Sequence, residues 1–394
     1  MEQMKKVVLA YSGGLDTSCI IPWLKDRGYE IIALVGDVGQ GDDMEQVKAK
    51  AIASGASKAY CLDLKQELIE QYALPTLKAG ALYEGKYNLA CALSRPLIAY
   101  HQVQVAKKEK ADGLVHGCTG KGNDQVRFEV TYRLQAPHLE VIAPVRVWEF
   151  KSRDEEIDYA KSKGVPVVAS KKKPYSIDTN VYGRAMESGI LEDPMVEPPE
   201  DIFYMTIDPK KAPNTPGYVE VGFEKGIPVS VDGVKMKPLA LVLKLNEIAG
   251  KHGVGRVDMI ENRLVGIKSR ELYENPAGTV LHIAIREIES LVLDRDSLRF
   301  KEALSQKYAE LVYNGLWWTP LKAQMDAFFN KYHEHTTGVA RIKLYKGCAM
   351  PVGRKSPFSR YSDKMATYGK GDTFDQSLAE GFIKLWTVPF QRHS

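Results

Sequence analysis

Short apolar runs alternate with longer segments of helical periodicity over the first 170 or so residues. Val7–Leu9 reads as a buried strand, and Cys19, Ile20, Ile21, Trp23 and Leu24 form the apolar face of a helix that follows a polar, glycine-containing turn. Glu30–Val35 is a second strand, Asp42 and Asp43 open a helix that runs to about Ser54 and closes at Gly55, and Ala59–Leu62 is a third strand. Leu93, Leu97, Ile98 and Val105 fall at helical spacing within a long helix over 90–109, after which Leu114 and Val115 lead into a further glycine-containing turn. A strand over Val141–Val147 with Trp148 packed at its end, a helix over Ser152–Lys163 ended by Gly164, and the run Val165–Val168 complete this region. Strands alternating with helices predict right-handed βαβ units, hence an α/β, Rossmann-like parallel sheet with helices on both faces. In such sheets ligands bind beyond the carboxyl ends of the strands.

The pattern then changes. Lys171–Lys173 and Pro174 mark a boundary, and prolines cluster over 194–199 and 209–216. Tyr218–Phe223, Val229–Val231 and Leu239–Leu245 are β-prone, so an irregular α+β region is expected, with helices over Thr279–Leu293 and Lys301–Leu311. Gly253–Arg263 and Ser269–Tyr273 interleave polar and apolar residues, as either a surface hairpin or the wall of a site does. Phe374–Leu378 and Phe382–Trp386 form an amphipathic terminal helix after a glycine- and serine-rich stretch, Gly353–Gly371, which favours docking on a neighbouring chain. The expected division is an α/β domain over 1–168, an α+β domain over 169–365, and a C-terminal oligomerisation helix over 366–394.

Composition narrows the function. A chain of 394 residues holds two or three domains, and a formal charge of +4 is small for that length, which argues against a dedicated nucleic-acid binder. Cys19, Cys61, Cys91, Cys118 and Cys348 are scattered and odd in number, so neither a zinc cluster nor a disulfide framework is expected, and a reducing cytoplasm fits best. A strand so close to the N-terminus leaves no room for a signal peptide, and no membrane span is expected. His333 and His335, beside Glu334, read as a solvated helix face rather than as metal ligands.

Candidate chemistry lies in the two turns. In Ala10-Tyr11-Ser12-Gly13-Gly14-Leu15-Asp16-Thr17-Ser18, the glycines let the backbone approach a ligand and the hydroxyls and amides can face an anion at a helix N-terminus. An ordinary strand-to-helix turn is the alternative. The loop Gly36–Gly41 is either a wall for an adenosine or a flexible connection. His116–Arg127 carries three glycines before Asn123 and Asp124, with Arg127 four residues after Asn123 on the same helix face, placed to grip a carboxylate.

SGGLDTS resembles the PP-loop of the N-type ATP pyrophosphatases, which cut ATP between the α- and β-phosphates. Together with GDVGQG, YEGKY, SRPLIA, HGCTGKGNDQVRFE, KPYSID, LEDP, GVGRVDMIENRLVGIKSRE, SQKYAELVY and TGVARIKLYKG, it makes the whole chain similar to the argininosuccinate synthase family. The resemblance implies condensation of L-citrulline with L-aspartate, driven by ATP accompanied by Mg²⁺, in a homotetramer with no nucleic-acid or membrane partner. It implies that Ala10 to Ser18 and Gly117 line ATP, with Gly36 at the adenosine. Thr119, Asn123 and Asp124 would hold aspartate, and Tyr87, Asn123, Arg127, Ser176, Glu261 and Tyr273 would hold citrulline. Asp16, Asp124 and Arg127 are the candidate catalytic residues, and no residue is assigned to a metal. The chain departs from the family pattern at Cys91, Ala92 and Ala185, where hydroxyl residues are common. Another ATP pyrophosphatase with a different acceptor, a tRNA-modifying enzyme among them, and a nucleotide-binding regulatory protein are the alternatives.

Overall fold

The computed structural model describes residues 4–166 and 175–392. Its first region runs β1 (Lys5–Ala10), α1 (Leu15–Lys25), β2 (Tyr29–Asp37), α2 (Met44–Ala53) and β3 (Lys58–Asp63). A short α3 (Lys65–Glu67) then passes through a π-helical turn, Leu68–Ala73, into α4 (Leu74–Lys78), followed by α5 (Ala90–Glu109), β4 (Gly113–Val115), α6 (Asp124–Gln135), β5 (Glu140–Ile142) and α7 (Arg153–Ser162). The strands form one parallel sheet in the order β3-β2-β1-β4-β5. Strand order therefore reverses between β1 and β4, which is where an open α/β sheet leaves a crevice for a ligand.

Side-chain alternation explains why both faces are covered. Val7 and Leu9 of β1 pack with Ile20, Ile21 and Ala51 from α1 and α2 on one face, while Val8 packs with Ala99, Val103, Phe128 and Tyr132 from α5 and α6 on the other. All of these side chains are buried. Each fully buried aliphatic of this kind contributes about 1.5–3 kcal/mol.

The second region contains β6 (Ser176–Thr179), β7 (Arg184–Glu187), β8 (Gly217–Glu224), β9 (Ile227–Val231), β10 (Val234–Lys235), α8 (Pro238–Gly250), β11 (Arg256–Asn262) and β12 (Lys268–Glu274). It continues with α9 (Pro276–Val292), α10 (Arg295–Tyr313), α11 (Pro320–Tyr332), β13 (Gly338–Tyr345), β14 (Cys348–Lys355), α12 (Asp363–Ala366) and α13 (Leu378–Thr387). Two antiparallel sheets result, β10-β9-β8-β13-β14 and β11-β12-β7-β6. Their core takes in Leu64, Leu68, Tyr72, Leu77, Leu93 and Leu97 from the first region, so the two regions share one apolar cluster.

Several expectations need correction. Leu239–Leu245 is part of helix α8, not a strand: Leu241, Val242, Leu245 and Ala249 are buried at helical spacing and Pro238 sits in the first turn. The strand expected over Val141–Val147 stops at Ile142, because Pro144 cannot donate to a ladder and begins a 3₁₀ turn instead. The terminal helix starts at Leu378, leaving Phe374 outside it. His333 is fully buried beyond the end of α11, with Nε2 2.7 Å from the Lys78 carbonyl oxygen, and is no solvated face. The run Val165–Val168 and the boundary at Lys171–Pro174 fall largely on residues 167–174, outside the described residues.

Candidate active site

The first turn grows out of the centre of the sheet. Ala10 of β1 is level with Leu34 of β2, and Tyr11 N–H still donates to the Leu34 carbonyl, so the chain leaves the sheet only at Ser12. Gly13 adopts φ +77°, and a Cβ there would come within 3.0 Å of Val47 Cγ1, so the turn requires glycine for both conformation and space. Gly14 caps α1 without any side-chain hydrogen bond, which leaves the first-turn N–H groups of α1 for an anion. The Ser12 and Thr17 hydroxyls are 3.1 Å apart at this mouth. Ser18 points inward: its hydroxyl donates to Gly14 O at 2.7 Å and lies 2.9 Å from Tyr11 Oη, so the side chain braces the turn and is not free for a ligand. Leu15 is half-buried at the helix start.

Asp16 turns toward α7. Its carboxyl lies beside that of Glu156, whose pKa is pushed up to about 8 by burial and by the adjoining negative charge. The structure does not bring Asp16 to Asp124 or Arg127.

The second turn begins alongside the first, since Val115 of β4 pairs with Leu9 of β1. A Cβ on Gly117 would stand 3.0 Å from Thr17 Cγ2 and 3.2 Å from Ile20 Cδ1, so the two turns touch there. Gln125 folds the loop back by donating to the Gly120 and Gly122 carbonyls at 2.6 and 3.1 Å, which leaves Thr119 exposed on the rim. Gly36 lies two residues beyond the level of Ala10 on β2. The loop after it is not a loose connection: Gln40 bonds Val38 N and Gly36 O, and Val181 N donates to Val38 O, which ties the loop to the second region.

A polar network continues from α6 into the second region. Arg127 Nη1 meets Asp124 Oδ1 at 2.7 Å, and Arg95 meets Asp124 and Asp178, each at 2.8 Å. Burial opposes ionisation of Asp124, but the Arg95 and Arg127 guanidiniums outweigh it and hold the carboxyl below its usual range. Asn123 donates to Tyr313 Oη at 2.8 Å and accepts from Leu264 N at 2.8 Å, and Arg127 Nε donates to the Tyr313 carbonyl at 2.9 Å. Glu261, 3% exposed on β11, accepts from Tyr273 at 2.6 Å and from Tyr313 at 2.5 Å. Burial pushes its pKa up, an effect the two phenols, Arg127 and Arg263 partly offset. Tyr87 stacks on Tyr273 at 3.8 Å between ring centroids. Its hydroxyl accepts the Cys91 and Ala92 N–H groups at 3.1 and 3.0 Å, which caps α5 and leaves the phenolic proton to donate elsewhere.

The structure thus brings Tyr87, Asn123, Asp124, Arg127, Glu261 and Tyr273 together. Ser176 is exposed at the start of β6, opposite Glu187, and forms no hydrogen bond with them. Ala185 is directly opposite Tyr273 and Asp178 in the sheet, and Cys91 is buried with its thiol 3.6 Å from the Asp178 carbonyl. The sequence reading missed Tyr313, Arg95, Asp178 and Tyr83, whose ring lies 3.6 Å from that of Tyr313. Tyr313 ends α10 beside the buried Leu311 and Val312 and reads from sequence as core; the long-range pairing reveals its hydroxyl. A cavity of about 660 Å³ elsewhere is lined by Tyr218, Glu220, Asp232, Arg341 and Val352 and by none of these residues. Chemically, the arrangement offers an anion cradle made of two backbone turns, beside a cluster of paired charges suited to amino-acid carboxylates and ammoniums.

Known proteins match over the same span. The arginosuccinate synthase N-terminal HUP domain model matches residues 6–166, and the arginosuccinate synthase C-terminal domain model matches residues 175–393. An argininosuccinate synthase of Carboxydothermus hydrogenoformans is 55% identical over 388 residues, which covers 98% of this chain and 97% of that one. The argininosuccinate synthase of Bacillus subtilis is 53% identical over 394 residues, 100% of this chain and 98% of its own. A 4-thiouridine synthetase in complex with RNA and ATP aligns over 41% of each chain at 15% identity and TM-score 0.30, too slight a likeness to bear on function. With both of its regions matched and identity above one half across nearly its full length, the chain belongs to the argininosuccinate synthase family.

Proposed function

We propose that this chain condenses L-citrulline with L-aspartate at the expense of ATP, through a citrullyl-adenylate, to give argininosuccinate, AMP and pyrophosphate. The observation that carries this reading is the contact of the two turns at Gly117 and Thr17, with the Asp124–Arg127–Glu261 network opening from the second of them. A ureido oxygen is a very poor leaving group. Its attack on the α-phosphate of ATP makes it part of a phosphate ester anhydride, and the aspartate amine can then displace AMP. Residues 10–18 and Gly117 cradle the triphosphate with backbone amides and the Ser12 and Thr17 hydroxyls, with Gly36 beside the adenosine. Ser18 contributes by bracing the turn.

Arg127 meets the citrulline carboxylate, and Glu261 meets its ammonium or ureido N–H groups, with Tyr87, Asn123, Ser176 and Tyr273 around it. Thr119, Asn123 and Asp124 hold aspartate, where Asp124, kept ionised by its guanidiniums, faces the substrate ammonium. Catalysis is positioning plus charge neutralisation, with no dedicated general base. Among the described residues no group of three or more His, Cys, Asp or Glu side chains could hold a metal ion. Mg²⁺ would arrive on the phosphate oxygens and neutralise phosphate charge there.

We also propose the division 1–168, 169–365 and 366–394, a cytoplasmic location in keeping with five free cysteines, and a homotetramer. Supporting the last is α13, whose Leu378, Phe382, Ile383, Leu385 and Trp386 are all more than half exposed on the single chain. Light scattering that shows a monomer removes the tetramer. The activity is tested by following pyrophosphate release with ATP, citrulline and aspartate, omitting each in turn: release should require citrulline, and release independent of citrulline contradicts the reading.

A further inference from the structure

Val47 and Lys50 of α2 are three residues apart and share a helix face, and that face rests on the first turn. Besides the 3.0 Å approach of Val47 to a Cβ at Gly13, Lys50 Nζ donates to the Gly13 carbonyl oxygen at 2.7 Å. A trans peptide is planar, so holding this carbonyl toward α2 turns the Gly14 N–H to the opposite side. There it donates to Ser12 Oγ at 3.3 Å, the hydroxyl at the mouth of the turn before the uncapped start of α1. The end of α2 is tied to the same turn, since Ser54 Oγ donates to the Lys50 carbonyl at 2.8 Å and Ser54 also reaches the Tyr11 hydroxyl that bonds Ser18.

The Lys50 ammonium is half-buried and has no carboxylate within ion-pair reach among the described residues. Burial lowers its pKa, and the Cys19 thiol is the one ionisable group that acts in the other direction. A cation withdrawn from water without a counter-ion costs stability. Behind a turn that leaves the first-turn N–H groups of α1 without a side-chain cap, its field adds to theirs.

We propose, on the reading of this turn as the seat of pyrophosphate, that Lys50 is a positioning residue for the leaving group. It fixes the Gly13–Gly14 peptide with its N–H toward the phosphates and places a positive charge behind them. As the bond from the ureido oxygen to the α-phosphorus forms, the bond to the β-phosphate bridge oxygen breaks and pyrophosphate leaves with the electron pair. Lys50 stabilises that charge and exchanges no proton.

The test is steady-state kinetics of the full chain with Lys50→Met, Lys50→Gln and Lys50→Arg, with pyrophosphate added as product inhibitor. Lys50→Met and Lys50→Gln should each raise KM for ATP and Ki for pyrophosphate roughly tenfold, with KM for citrulline and aspartate unchanged, and Lys50→Arg should restore most of the loss. The glutamine variant keeps a donor for Gly13 but no charge. An unchanged Ki for pyrophosphate in a variant that melts like the parent overturns the proposal. So does an equal rise in all three KM values, which a merely structural tie predicts. A parent protein that releases no pyrophosphate with citrulline refutes the reading of the turn instead, so the two failures are distinguishable.

Discussion

Removing the Tyr313 hydroxyl should weaken citrulline binding and shift its pH dependence. Tyr313→Phe keeps the ring stacked on Tyr83 and the backbone carbonyl that accepts from Arg127, so the helix end is preserved. What is lost is the 2.5 Å bond to Glu261 and the 2.8 Å bond from Asn123. A hydrogen bond to a charged group contributes about 1.5–3 kcal/mol, and about 1.4 kcal/mol is a factor of ten in binding. KM for citrulline should therefore rise roughly tenfold or more, with KM for ATP unchanged. The pH effect has a defined sign. Glu261 faces Tyr273, Tyr313, Arg127, Arg263 and Glu271, and burial already raises its pKa against the stabilising pull of both phenols. With one phenol gone the pKa rises further, so the ionised form is lost earlier as pH falls. The acid limb of kcat/KM for citrulline should move to higher pH, and the defect should shrink as pH is raised. Pyrophosphate release at varied citrulline across that limb is the assay. An unchanged KM with an unmoved acid limb refutes the role assigned to the Glu261–Tyr313 pair.

Three further outcomes follow from single contacts. Gly117→Ala puts a methyl 3.0 Å from Thr17 and should raise KM for ATP while leaving the melting temperature nearly unchanged, measured by kinetics and thermal unfolding; unaltered ATP kinetics would mean that the two turns do not share the nucleotide. Glu289→Gln strands the buried Lys301 ammonium that pairs with Glu289, and should lower urea-unfolding stability by about 3 kcal/mol with little change in activity per folded molecule; a loss below about 0.5 kcal/mol, no more than a surface substitution costs, would refute it. Ala185→Ser restores a hydroxyl opposite Tyr273 and Asp178 and should lower KM for citrulline by up to about 1.5 kcal/mol in binding free energy; no improvement would place citrulline elsewhere.

Much of the first region was legible because its signals are local. The apolar runs at Val7–Leu9 and Glu30–Val35, the Asp43 cap of α2 and the glycine at 55 each act within a few residues, and the structure has them where the sequence puts them. The helix over 90–109 was equally clear from its spacing. The errors arose where a local preference was overridden. Leu239–Leu245 is rich in branched residues, yet a buried face at helical spacing and a proline at the start decide for helix. Strand β13 pairs with β8, more than a hundred residues away, and β14 pairs with β13, so neither is fixed by its local sequence. Site residues on the two turns could be read from chemistry and spacing. Glu261, Tyr273 and Tyr87 came through resemblance, and their convergence depends on the β11–β12 hairpin meeting α10. Tyr313 escaped notice since nothing near it in sequence indicates that its hydroxyl spans 52 residues to Glu261. Asp16 was read as facing the reaction; α7 provides a carboxyl partner, Glu156, that no local pattern announces.

The most direct test of the account uses citrulline labelled with ¹⁸O in its ureido group. If the ureido oxygen attacks the α-phosphorus held between the two turns, complete turnover with ATP and aspartate should carry the label into the phosphate of AMP. Unlabelled AMP, or label appearing in inorganic phosphate alongside ADP, would contradict it.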